Sequence, residues 1–129
     1  MNMVDFDQKA RRLLHDRRRK HDGQAIIITS VCTYGMADET LVVEWGSAPL
    51  SERASDLVKG AVVDGVPVYL HARLAAYARF NPLCVTARAV VLWQSLALDG
   101  DDTLLRRVRR WEAMHPTMSA APAADSAVA

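Results

Sequence analysis

Gln24-Ala25-Ile26-Ile27-Ile28-Thr29-Ser30-Val31-Cys32 is the stretch on which the fold turns. It is rich in β-branched residues, apolar at both odd and even positions, and preceded by Gly23. Such a run reads as a strand, and apolar character on both pleat faces places it in the middle of a sheet with cover on each side. Working outward, the loop Thr33-Tyr34-Gly35-Met36-Ala37-Asp38 leads to a second strand, Leu41-Val42-Val43-Glu44-Trp45. Alternation puts Leu41, Val43 and Trp45 on one face of that strand.

Upstream, residues 4–21 have helical spacing, with Phe6, Ala10, Leu13 and Leu14 in one narrow stripe. Asp5 and Asp7 stand at its start, Arg17, Arg18, Arg19 and Lys20 at its end, and Gly23 beyond, an order that suits the helix dipole and a left-handed cap. Arg17 falls on the apolar stripe, so either its stem covers the core edge or the helix ends before it. Downstream, Leu50, Ala54, Leu57 and Val58 suggest a short helix within residues 46–60. Asp64-Gly65 marks a tight hairpin turn. Pro67, which cannot donate to a ladder, makes Val68-Tyr69-Leu70 an edge strand or a strand start. Residues 71–80 read as a helix packed through Leu74, Tyr77 and Ala78 and stopped by Asn81-Pro82. Residues 83–98 form a long β stretch that bends partway. Asp99-Gly100-Asp101-Asp102 then provides a turn and N-cap for a last helix whose apolar side is Leu104, Leu105, Val108 and Trp111.

These elements define an α+β domain: a mixed or largely antiparallel sheet flanked by N-terminal and C-terminal helices. With 129 residues there is room for one domain, expected over residues 1–116, followed by an Ala/Ser/Pro-rich tail at 117–129. The formal net charge of +1 supplies no global field to gather polyanions. Two cysteines are too few for a disulfide framework, and no apolar run approaches the ~20 residues that span a bilayer. With no signal-peptide pattern either, a cytoplasmic protein without membrane contact is expected.

Chemistry-bearing residues are sparse. Cys32 leads them, because a thiol at the end of a rigid strand and facing a loop can serve as nucleophile or metal ligand. Cys84 and His71 are weaker candidates, one expected as a small core residue and the other as a helix cap. Together with Cys32 they make three ligands for zinc or iron only if the fold converges them. No nucleophile elbow, zinc-protease helix, P-loop or dinucleotide glycine motif is present, so no catalytic residue is assigned and an enzyme is not expected. Arginines cluster at residues 11–19 and 106–110. No aromatic residues interleave with them, and they read as solvated faces with no nucleic-acid partner.

From residue 5 to about 90 the order of features resembles the HesB-like family of A-type iron–sulfur carriers, and the related small accessory proteins of aldehyde dehydrogenases. The residues that carry the resemblance are Ile26-Ile27-Ile28-Thr29-Ser30-Val31-Cys32, the Gly35-Met36-Ala37 loop, Leu41-Val42-Val43-Glu44-Trp45 and Gly65-Val66-Pro67-Val68-Tyr69-Leu70. The resemblance implies a HesB-like fold, a homodimer and a cluster-ligand role for Cys32. The C-terminal Cys-Gly-Cys of the carriers is absent, and Val31 and Thr33 flank Cys32 where the carriers have glycine. The expected function is therefore a non-enzymatic accessory or protein-interaction domain with no cofactor. The alternative is a cysteine-dependent metal or iron–sulfur protein using Cys32.

Overall fold

The computed structural model describes residues 2–32, 39–49, 56–90 and 92–116; for residues 31, 32 and 90 it describes the backbone alone. The tail at 117–129 and residues 50–55 of the segment expected to hold a short helix lie outside the described residues. The element order is β1 (Val4–Phe6), α1 (Gln8–Arg17) with a 3-10 turn (Arg18–His21), β2 (Ala25–Cys32), β3 (Glu39–Gly46), β4 (Leu57–Val63), β5 (Val66–His71), α2 (Ala72–Ala78), β6 (Leu83–Val90), β7 (Trp93–Leu98) and α3 (Asp101–Met114). This is an α+β fold with mixed sheets. One sheet has the order β1-β6-β7 and the other β3-β2-β5-β4.

As the isoleucine run requires, β2 is an inner strand. It lies antiparallel to β3 along its whole length and parallel to β5 through Ile26↔Val68, Ile27↔Tyr69 and Ile28↔Leu70. Its two faces are unequally covered: Ile26 and Ile28 are fully buried, while Ile27 is only half-buried. The β4–β5 hairpin turns on Asp64 (φ 51°) and Gly65 (φ 82°), and the two successive positive φ values are those of a type I′ turn. A side chain at either position strains the backbone, which is why Asp-Gly stands there.

β5 is not an edge strand, because Val68, Tyr69 and Leu70 pair with both β2 and β4. Pro67 is tolerated because pairing with β2 begins only at Val68, one residue later. Leu57 and Val58 open β4 instead of closing a helix. The long β stretch reverses completely, with β6 and β7 antiparallel from Val85↔Leu98 to Val90↔Trp93.

The N-terminal helix starts later than its pattern implies. Val4 and Phe6 belong to β1, which pairs in parallel with Leu83–Val85 of β6, and Asp7 then caps α1 by accepting from Ala10 N at 2.8 Å. The helix runs through Arg17 and does not end before it, and the Arg17 guanidinium donates to the Gln94 carbonyl of β7.

The two sheets meet along both margins. Met3 N donates to Gly60 O (3.2 Å), setting the start of β1 on the bulge of β4, and β7 lies against β3. The seven strands thus surround one core, in which Val4, Leu14, Ile28, Leu70, Val85 and Val108 are fully buried. A Cβ at Gly60 would stand 3.1 Å from Leu70 Cδ1 on the neighbouring strand β5, so glycine leaves room for the Leu70 side chain at the bulge. No helix of the described residues is long and apolar enough to cross a membrane.

Candidate functional site

β3 and β5 each carry a distinct side-chain cluster at either end. At the first end, Glu39 begins β3 and His71 ends β5. The His71 ring caps α2, its Nδ1 accepting from Arg73 N at 3.2 Å, which accounts for the histidine as a structural group. The cap aims Arg73 across the α2–α3 contact. Its Nε and Nη2 donate to Glu112 Oε2 and Oε1 at 2.8 and 2.9 Å, a two-point fork, while Nη1 reaches Glu39 Oε2 at 3.1 Å. Arg109 adds a longer contact to Glu39 Oε1, 3.5 Å. The Glu39 carboxyl is held below the usual carboxylate range, first by the Ser30 side chain and then by Arg73 and Arg109, against the opposing effect of burial. A carboxyl so lowered stays ionised at neutral pH and is a poor proton donor. The cluster is a clamp that fixes α2 and α3 on β3.

Beside the clamp, Glu39, Thr40, Leu41, Asp102, Leu105 and Arg106 line a groove of about 390 Å³. Asp101, on the same groove, is committed to Arg88 by a second fork at 2.9 and 3.0 Å. The helix-capping role expected of the aspartates is filled differently: Gly100 (φ 70°) is the N-cap and makes no side-chain bond.

The outer face of α2–α3 is aromatic. Trp111 meets Tyr77 edge-on and Phe80 at a tilt, each with centroids 6.0 Å apart, and stacks on His115 at 4.9 Å. Phe80 is 59% exposed and Met114 70%, an unusual outlay of apolar surface for side chains this large. Arg79, Arg107 and Arg110, on or next to the same helices, are exposed, and none of them is in a salt bridge among the described residues.

His71 and Cys84 lie on different sheets. Cys32 closes β2 opposite Glu39, and its side chain lies outside the described residues. Cys84 sits in β6 opposite Asp5 of β1, where burial, then the charges of Asp7, Asp99 and Asp5, push its thiol pKa up. Metal ligation requires the thiolate, which this setting disfavours. Among the described residues no group of three His, Cys, Asp or Glu side chains could hold a metal ion.

The sequence reading missed Glu39, Arg73 and Glu112. They lie 34 and 39 residues apart along the chain, so no local spacing announces them. The only hint was Glu112 beside Trp111, at the margin of the apolar side of α3. No protein-family model matches the chain, and none of the curated proteins compared with it matches significantly.

Proposed function

We propose that the protein is a non-enzymatic accessory domain that binds another protein through the α2–α3 face. The observation that carries this reading is the pair of exposed apolar side chains Phe80 and Met114 beside the half-buried Trp111, braced by the Arg73 fork, with exposed Arg79, Arg107 and Arg110 on or next to the same helices. Large apolar anchors within a polar rim are the ordinary anatomy of a protein interface. Three exposed arginines without a salt bridge among the described residues, on or next to these helices, select a partner segment that presents apolar side chains among carboxylates.

A photo-crosslinking amino acid placed at Met114 in cells, with exposed Val62 as the control position, tests this. A discrete adduct is expected from position 114 alone. The identified partner should then bind the purified full chain, and bind Phe80→Ala at least tenfold more weakly, the loss expected of an interface anchor. Equal adducts at both positions, or titrations indifferent to Phe80→Ala, would overturn the reading. A second copy of the chain is the partner implied by the HesB resemblance, and sedimentation at rising concentration separates that outcome. Iron or zinc retained after anaerobic purification would favour the Cys32 alternative.

A further inference from the structure

At the other ends of β3 and β5, about 20 Å from the clamp by strand rise, lies a surface of different character. Residues 8–22 hold seven lysines and arginines against two aspartates, a net of +5. The whole chain is only +1, so everything else together carries −4. Among the described residues the salt bridges are made by Arg73, Arg88 and Arg109, and none by a cation of this belt. Arg11 and Arg17 donate instead to the backbone carbonyls of Phe6 and Gln94, which orients them without neutralising them.

Three grooves follow the belt and share residues. One of about 670 Å³ is lined by Arg11, Arg12, His15 and Arg18, and a neighbour of about 450 Å³ by His15, Arg18 and Arg19. The third, about 170 Å³, joins Arg18 to His21 and Trp45. There the His21 ring stacks on Trp45, with centroids 4.6 Å apart and planes 7° from parallel, and its Nδ1 is tied to Gln24 Oε1 at 2.8 Å. Asp16, Asp22 and Asp64 also line these grooves; they leave a net charge of +1 on each of the first two and none on the third, so the excess of positive charge lies along the helix and not at the stack.

We propose that this belt, with the His21–Trp45 stack at its end, binds single-stranded nucleic acid. The sequence argued against such a partner because no aromatic residue interleaves with the arginines. The fold supplies one from another strand, since Trp45 of β3 comes to lie on His21. A path of cations that make no salt bridge among the described residues, ending at a fixed aromatic pair, is the arrangement that tracks a phosphate backbone and stacks an unpaired base. Ten helical residues and four 3-10 residues span about 20 Å, longer than the phosphates of a mononucleotide reach. A duplex presents no free base to the stack. The proposal is independent of the α2–α3 face, which lies at the opposite strand ends.

Fluorescence anisotropy of a labelled fifteen-nucleotide deoxythymidine strand, titrated with the full chain at 0.05 and 0.15 M salt, is the test. Saturable binding is expected to persist at 0.15 M salt with a Kd below about 1 µM, tighter than ordinary nonspecific contact. Arg18→Glu/Arg19→Glu should weaken it at least tenfold and flatten the salt dependence. His21→Ala should weaken it several-fold while leaving the salt slope intact. Arg106→Glu/Arg110→Glu on α3, matched in charge change, should have little effect. Circular dichroism confirms that each variant is folded, and Arg12→Glu provides a second belt variant. Loss of binding at 0.15 M salt, equal sensitivity to the α3 variant, or equally tight binding of a duplex or of ATP would overturn the proposal.

Discussion

Ile28 and Ile27 are neighbours in one strand, yet the structure gives them different weight. Ile28 is 0% exposed and packs in the common core, while Ile27 points to the half-covered face of the same sheet. Truncation of a fully buried branched side chain removes both its transfer free energy and the packing around it. Ile28→Ala should therefore cost about 2–5 kcal/mol. Ile27→Ala should cost less than about 1.5 kcal/mol, since less apolar area leaves contact with the protein. Urea denaturation of both variants checks the order, and equal losses would show that the outer face is covered as well. The sequence could not separate the two residues. Alternation assigns faces to a strand, but an all-apolar run carries no sign of which face has the fuller cover.

Elements whose signals are local were legible: β2, the Asp64–Gly65 hairpin, the His71 cap and the apolar side of α3. Those that depend on distant partners were not. β1 is three residues long and is a strand only because β6 accepts it in parallel, so its Val4 and Phe6 mimicked the start of α1. The same dependence makes the first helix and the clamp sensitive to acid. The Asp7 carboxyl is held below its ordinary value, first by the Thr86 side chain of β6 and then by the Ala10 N–H; Glu39 is held low by Ser30, Arg73 and Arg109. For both, the folded state resists protonation more than the unfolded chain does. Their stabilisation is complete above the unfolded carboxylate pKa of about 4 and is lost as pH falls through the lower folded values. Stability to urea should thus be flat from pH 7 to 5 with respect to these groups and should decline below about pH 4. Asp7→Asn retains a good N-cap while abolishing the titration, so Asp7→Asn/Glu39→Gln should flatten the decline. An unchanged acid limb in the double variant would assign it to other carboxylates.

At the scale of the whole molecule, two sheets do not imply two melting units, because they share one core and two margins. Val4 and Val85 of the first sheet pack in the same cluster as Ile28 and Val68 of the second, and α1 and α3 contribute Leu14 and Val108 to it. Neither sheet retains a covered face without the other, so unfolding should be a single cooperative step, as is usual for one domain of this size. The tryptophans make this measurable. Trp45 stacks on His21 at one end of β3, whereas Trp111 belongs to the aromatic face beside Glu39's clamp at the other. A chain retaining only Trp45 (Trp93→Phe/Trp111→Phe) and one retaining only Trp111 (Trp45→Phe/Trp93→Phe) report the two ends separately. In each, the fluorescence midpoint in urea should coincide with the midpoint from far-ultraviolet circular dichroism. Comparison within each variant removes the effect of the substitutions on overall stability. If Trp111 changes before the backbone signal while Trp45 does not, the α2–α3 end opens as its own unit, and the core does not bind the sheets into one.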